Sequence, residues 1–74
     1  MNDDLLLKSA SDAFAQGNYR RAAEHFQSLL QKYPDVAELH INLGAALRGA
    51  GDNAGAEAAY LDATARAPKN ALAL

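Results

Sequence analysis

The sequence predicts an all-α fold in which helix–turn–helix repeats stack into an α-solenoid. The first observation is that residues coincide when the 74-residue chain is shifted by 34 positions. The coinciding pairs are Gly17 with Gly51, Ala22 with Ala56, Phe26 with Tyr60, and Pro34 with Pro68. The second observation is that apolar residues recur every three or four positions between these markers, which is helical spacing. Since self-similarity at a fixed period is the signature of repeat architectures, each copy is interpreted as one structural unit.

The first copy reads as two helices separated by a short turn. An apolar face that ends at Phe14 predicts the first helix, and Gly17 suits the left-handed residue at a helix C-terminus. Asn18 favours the N-cap position of the second helix. Pro34 ends that helix, because the residue before a proline avoids the α region.

The second copy repeats this arrangement. Asp35-Val36-Ala37-Glu38 resembles a capping box, with Asp35 in place of serine or threonine, and predicts the start of the third helix. Gly51-Asp52 repeats the turn, and the fourth helix is predicted to run up to Pro68. Residues 71–74 then read as the start of a further helix.

Small and aromatic residues at matching positions predict how the helices pack. Ala10 and Gly44 are expected to let the second helix of each pair approach closely. Glycine costs about 1 kcal/mol relative to alanine in a helix interior, so Gly44 implies a packing demand of that order. Phe26 and Tyr60 are expected to fill the space between one hairpin and the next. The second copy is expected to be the softer one, since Gly44, Gly49 and Gly55 lie in and around its helices, and the packing reason for Gly49 and Gly55 is less clear.

These residues resemble the tetratricopeptide repeat, whose period is also 34 residues. The positions that carry the resemblance are Ala10, Ala22, Phe26, Pro34, Gly44, Leu47, Ala56, Tyr60 and Pro68. Leu6 and His40 stand where this family often has tryptophan, so both copies depart from the pattern there. The resemblance implies a right-handed α-solenoid. It places the first repeat at 3–36, the second at 37–70, and a truncated third repeat or tail at 71–74.

Composition and charge exclude several classes of protein. The chain has no cysteine, so neither disulfides nor thiolate metal sites are expected. Its net charge of −2 argues against a general nucleic-acid binder, which would carry a basic stripe. The acidic start at Met1–Asp4 is unlike a secretory signal, and no apolar run is long enough to cross a membrane. A cytoplasmic protein without nucleic-acid or membrane partners is therefore expected.

Residues with catalytic or metal-binding chemistry form no recognisable set. No serine lies in a nucleophile turn, and Gly49-Ala50-Gly51 lacks the lysine and hydroxyl residue of a phosphate loop. His25 and His40 fall on different helices without a second ligand at metal-binding spacing, which favours structural roles over metal or catalytic ones. His40, at a packing position, is expected to be partly buried. The chain is therefore predicted to be no enzyme and to need no cofactor or metal.

The resemblance implies a binding surface instead, because in this family the first helices of successive repeats line a concave groove. The residues that it places there are Asp4, Leu7, Lys8, Ser11, Ala15, Glu38, Ile41, Asn42, Ala45, Arg48 and Gly49. Some family members clamp a terminal carboxylate with lysine and asparagine, but Leu7 and Ser11 stand at two clamp positions here. No such clamp is expected, although Asn42 matches one of its asparagines.

Two properties of these groove residues suggest a ligand chemistry. Leu7 and Ile41 predict an apolar strip, and Lys8 and Arg48 predict a charge contact to an acidic ligand. For each of them, as for Asn42, an ordinary solvated surface position is the alternative.

Three functions fit the pattern. The first is a protein–protein interaction scaffold that binds a peptide or partner helix in the groove. The second is an accessory domain of a larger enzyme, such as a transferase. The third is a self-assembly module, because a fourth helix without a helix to cover it would expose Tyr60, Ala63 and Leu61 or Ala67. About three repeats are normally needed for a stable stack, so a longer parent protein or a homo-oligomer formed through the second hairpin is expected.

Overall fold

The computed structural model describes residues 3–66, which form four α-helices in succession. They are α1 (Asp3–Ala15), α2 (Tyr19–Lys32), α3 (Ala37–Gly49) and α4 (Asn53–Arg66). Each helix packs against the next one in the chain, so the hairpin α1–α2 stacks on the hairpin α3–α4 through α2 and α3. The predicted all-α helical-repeat architecture is confirmed. The predicted repeat boundary at 36/37 stays a prediction, and Pro68 and residues 71–74 lie outside the described residues.

Both hairpins turn on the same backbone motif, in which glycine ends the first helix. Gly17 and Gly51 have φ angles of 81° and 92°, a left-handed conformation that residues with a Cβ rarely adopt. The amide of the following residue reaches back five positions, from Asn18 to Ala13 O at 2.8 Å and from Asp52 to Leu47 O at 2.8 Å. Such bonds satisfy carbonyls that the helix end would otherwise leave unpaired, so the predicted role of Gly17 is confirmed.

The helix N-termini agree only in part with the predicted caps. Asn18 is the N-cap of α2, as predicted, but makes no side-chain capping bond. The capping box expected at Asp35 is wrong, because Val36 is the N-cap of α3 and no side chain caps this helix. Asp35 lies one residue before this N-cap. At the turn before α4, Asp52 does bond the helix, since its Oδ1 accepts from the Gly55 amide at 2.9 Å.

The core between the helices is built largely from alanine. Its buried residues are Ala10, Ala13, Ala22, Ala23, Phe26, Leu29, Leu39, Leu43, Ala46 and Ala59. Ala56 and Gly44 are buried as well, Leu47 and Tyr60 are half-buried, and Pro34 is exposed. Such small side chains let helix backbones approach one another closely, which is what the repeat pattern predicts.

A neighbouring aromatic ring explains why residue 44 is a glycine. A Cβ on Gly44 would lie 2.8 Å from Cε1 of Tyr60, so any larger residue would displace the ring. The close packing expected at Gly44 is therefore present in the structure. Its nearest partner is the ring of Tyr60 in the same hairpin, whereas Tyr60 was expected to pack between one hairpin and the next. Phe26, the equivalent of Tyr60, is only 3% exposed and belongs to the core that joins both hairpins.

Gly49 is explained by a second ring, that of Tyr19. A Cβ on Gly49 would lie 2.6 Å from Cγ of Tyr19, which is far inside van der Waals contact. The Tyr19 ring also meets Phe14 edge to face, with ring centroids 5.2 Å apart. Tyr19 at the start of α2 thus bridges the ends of α1 and α3, a contact that makes Gly49 a packing residue.

The carbonyl of Pro34, in the turn between α2 and α3, accepts two side-chain hydrogen bonds. His40 Nε2 donates to it at 2.8 Å, and Arg66 Nε donates to it at 2.7 Å from the last turn of α4. Arg66 also lies 3.7 Å from Oδ1 of Asp35. His40 is buried, as its packing position predicts, and its role in the described structure is this bond. The Pro34 carbonyl therefore links both later helices to one turn.

Candidate functional site

A groove runs between α1 and α3, with α2 as its floor. It consists of a cavity of about 490 Å³ and an adjoining one of about 160 Å³. The larger is lined by Asp4, Leu7, Ser11, Leu29, Tyr33, Val36, Glu38, Leu39 and Asn42. The smaller is lined by Ser11, Phe14, Phe26, Asn42 and Ala45. Because Ser11 and Asn42 line both cavities, the two lie side by side, and together they are called the groove below.

The groove has an acidic end and an aromatic end. Asp4 and Glu38, in the first turns of α1 and α3, line the larger cavity, and no lysine or arginine is among the described residues that line it. Ser11 and Asn42 form a polar middle layer. Residues further along the same helices line the other end, where Phe14 stands above the buried ring of Phe26.

The walls of the groove leave apolar surface open to a ligand. Leu7, Tyr33 and Val36 line the larger cavity and are 41%, 43% and 42% exposed. Beneath them, Leu29 is 3% exposed and belongs to the core. A ligand that covers the exposed walls gains about 25 cal/mol for each Å² of apolar surface removed from water.

The structure brings six of the eleven predicted groove residues together. These six are Asp4, Leu7, Ser11, Glu38, Asn42 and Ala45. Their role in binding stays a prediction, but their common location is a property of the fold. Ala15 and Gly49 line neither cavity.

The other three predicted groove residues lie elsewhere. Lys8 pairs with Asp12 at 3.5 Å on the exposed face of α1. Ile41 is 47% exposed but lines neither cavity, so the apolar wall beside Leu7 comes from other residues. Arg48 lines a separate cavity beside α4. The groove therefore holds carboxylates where the sequence suggested basic contacts.

Three exposed groove residues were missed by the sequence interpretation: Phe14, Tyr33 and Val36. The sequence pattern predicts other roles for them, as part of an apolar helix face, a helix stop and part of a capping box. Their fractional exposure is the property that identifies them, and a periodic pattern does not report it. Tyr33 lies just after the last residue of α2 and lines the larger cavity.

The flank of α4 carries a second, separate cavity of about 350 Å³. Arg48, Asn53, Ala56, Glu57, Tyr60, Leu61 and Thr64 line it. Leu61 is 65% exposed, as the sequence predicts for this flank. Ala63 was expected on the same exposed surface, which is wrong, because it is buried at 4% exposure. The other residue named for this flank, Ala67, lies outside the described residues.

Within 3–66, no three or more histidine, aspartate or glutamate side chains are grouped so that they could hold a metal ion. None of α1 to α4 has the length and apolar content of a membrane-crossing helix.

Stacked helical hairpins with a groove between their first helices define a helical-repeat protein. A family model described as "Tetratricopeptide repeat" matches residues 7–71, which is most of the chain. The chain belongs to the tetratricopeptide repeat family. Repeats of this family generally mediate protein–protein interactions and are typically non-catalytic. Searches of curated proteins and of solved structures found no significant match.

Proposed function

We propose that this protein is an interaction module that binds an extended peptide in the groove between α1 and α3. The observation that supports the proposal is the pair of adjacent cavities that share Ser11 and Asn42, with a buried apolar floor and exposed apolar walls. Ligand sites in proteins are typically concave, mostly apolar, and marked by a few convergent polar groups. The groove has each of these properties.

The length of the groove suits a short extended peptide. From Asp4 to Phe14, which line its two cavities, the axis of α1 rises by about 15 Å, at 1.5 Å for each residue. An extended strand rises about 3.3 Å for each residue, so about five residues of peptide span this length.

The experiment compares two serine variants on the same helix. Ser11→Tyr would fill the groove at the point that both cavities share, whereas Ser9→Tyr adds the same exposed ring on α1 outside both cavities. The wild-type chain and both variants are screened against one random nonapeptide library. We expect wild type and Ser9→Tyr to enrich the same peptides, and Ser11→Tyr to lose at least tenfold in affinity for them.

Two results would contradict the proposal. One is peptide capture that Ser11→Tyr leaves unchanged, because binding would then lie outside the groove. The other is a library screen that enriches nothing while light scattering shows the chain self-associating, which would favour the self-assembly alternative. Circular dichroism of both variants checks that the added rings leave the helices intact.

A further inference from the structure

We infer that two copies of this chain pair through the flank of α4, with Arg48 of each copy facing Glu57 of the other. The flank of α4 is the surface around the cavity of about 350 Å³, on which Arg48, Glu57, Tyr60 and Leu61 lie. No residue that lines this cavity lines the groove. The inference is therefore independent of the proposed function, and such a dimer leaves two grooves open to peptides.

The flank presents apolar surface along one side of α4. Leu61 is 65% exposed, and the ring of Tyr60 is half-buried beside it. Asn53, Glu57, Tyr60 and Thr64 succeed one another at intervals of four, three and four residues, so they form one stripe along the helix. A partner that covers this stripe gains about 25 cal/mol for each Å² of apolar surface removed from water.

The charges on the flank identify a second copy as the partner. Arg48 on α3 and Glu57 on α4 are both exposed, and no other charged residue within 3–66 lines this cavity. Among the described residues, neither of the two forms an ion pair. A two-fold axis places each arginine opposite the other copy's glutamate, because an isologous contact uses the same surface of both copies. Complementary charges of this kind favour one partner over others.

The other way in which copies could associate is head to tail, with α1 of one copy stacked on α4 of the next as α3 stacks on α2. Because α1 packs on α2 as α3 packs on α4, a position that is buried in α3 but exposed in α1 is one that α2 covers. Ala46 is 0% exposed, whereas the side chain of Asp12, its equivalent in α1, is 55% exposed. Likewise, Ala23 of α2 is 4% exposed and its equivalent in α4, Glu57, is exposed.

Head-to-tail stacking would therefore carry two carboxylates, those of Asp12 and Glu57, into one contact. Lys8, which pairs with Asp12, balances only one of them. Removing charges from water without a partner is unfavourable, and like charges across an interface oppose association. Pairing of two α4 flanks instead supplies one arginine for each glutamate and closes at two copies.

The contact is expected to be weak. Seven described residues line the cavity, against about 20–30 residues on each side of a standard interface. We expect a dissociation constant of about 100 µM, so the chain is a monomer at about 5 µM and largely a dimer near 1 mM. Sedimentation equilibrium of the full chain across this range measures the pairing.

The sharpest test reverses the two charges. Arg48→Glu and Glu57→Arg each give the flank two like charges, and each variant alone should dimerise at least about tenfold more weakly than wild type. An equimolar mixture of the two variants should recover the wild-type dissociation constant, because every arginine then faces a glutamate again. Arg20→Glu and Glu24→Arg are matched changes on the exposed face of α2, beside another cavity, and should each dimerise as wild type does.

A second pair of variants identifies the end of the stack that is used. Leu61→Gln and Leu5→Gln change leucines of similar exposure, 65% and 60%, on α4 and α1. Pairing of α4 flanks predicts that Leu61→Gln weakens the dimer about tenfold and that Leu5→Gln leaves it unchanged. Circular dichroism verifies that the helices of all these exposed-site variants are intact.

Three results would overturn the inference. The first is a wild-type chain that remains a monomer at about 1 mM. The second is a mixture of Arg48→Glu and Glu57→Arg that pairs no better than either variant alone. The third is growth beyond dimers that Leu5→Gln and Leu61→Gln reduce equally, which is the behaviour of head-to-tail stacking. Ser11→Tyr fills the groove and should leave the dimer unchanged, so this inference and the proposed function fail separately.

Discussion

The two hairpins differ most at one pair of equivalent positions, Phe26 in α2 and Tyr60 in α4. The ring of Phe26 is 3% exposed and lies in the core that joins the hairpins, because α3 covers α2. Tyr60 is half-buried, lines the cavity beside α4, and rests on Gly44 of its own hairpin. The same repeat position is thus a core residue in one unit and a half-buried residue in the other. In the part of the chain that the structure describes, a following helix packs on α2 and none follows α4, which fits an architecture in which each repeat contacts only its neighbours.

The largest expected effect comes from removing these two rings. Phe26→Ala should cost about 3–5 kcal/mol in the free energy of unfolding, as for other buried phenylalanines, and little folded protein should remain. Tyr60→Ala should cost about 1–2 kcal/mol, because much of its ring already contacts water. Urea unfolding followed by circular dichroism measures both. Equal costs would show that α4 is covered in solution and would remove the contrast between the hairpins.

Gly44→Ala tests whether the Tyr60 ring rests on α3 as the structure shows. With the ring present, the new Cβ must push it aside, and we expect a loss of about 1 kcal/mol even though alanine is the better helix former. In a Tyr60→Ala background the same change should instead stabilise the chain by about 1 kcal/mol. A double-mutant cycle from urea unfolding measures the coupling. If Gly44→Ala changes the free energy of unfolding in the same direction in both backgrounds, the Tyr60 ring does not rest on Gly44.

The turn residues Asn18 and Asp52 are a matched pair at the hairpin turns. Asp52 accepts a hydrogen bond from the Gly55 amide, whereas Asn18 makes no side-chain capping bond. Asp52→Ala should therefore cost about 1 kcal/mol and Asn18→Ala only a few tenths. Thermal unfolding of the two variants compares the costs directly, and a larger cost for Asn18→Ala would contradict the assigned caps.

The smallest expected effect is at Arg66, which joins the end of α4 to the turn before α3. Arg66→Ala removes the bond to the Pro34 carbonyl, but His40 still donates to that carbonyl. Because the Pro34 carbonyl keeps its bond from His40 and Asp35 is exposed to water, we expect a cost of about 0.5 kcal/mol, near the lower end for a hydrogen bond. Arg66→Lys is the control that keeps the charge while losing the fixed geometry of the guanidinium. A loss above about 2 kcal/mol for Arg66→Ala would contradict this and show that Arg66 holds the end of α4 more strongly than one exposed hydrogen bond can.

The fold could be predicted because the same sequence features occur twice, 34 residues apart. Gly17 and Gly51 mark left-handed helix ends at the same offset, and two such matches are far less ambiguous than one. Gly44 also indicated a close contact before any partner was known. The capping box predicted at Asp35 was wrong. Such a motif requires the helix to begin at one particular residue, and the start of a helix can be predicted from sequence only to within one or two residues.

The groove was predictable only in outline. Leu7, Ser11 and Asn42 face it because the repeat fixes which side of α1 and α3 is concave. Tyr33 and Val36 could not be found in this way, since they follow α2 and precede α3, where no helical period applies. The charge of the groove likewise depends on which exposed side chains turn inward, and Lys8 turns toward Asp12 instead.

The hydrogen bonds to the backbone carbonyl of Pro34 affect which sequence changes the turn between α2 and α3 can tolerate. A backbone carbonyl is supplied by every amino acid, so the identity of residue 34 is not what holds His40 and Arg66 in place. Tyr33 and Val36, on either side, face the groove from the same turn. Substitutions at Tyr33 or Val36 would alter the surface of the groove and leave the contacts of the Pro34 carbonyl intact. An inserted or deleted residue would disturb both the groove surface and these contacts. The length of this turn is therefore constrained more strictly than its amino-acid composition.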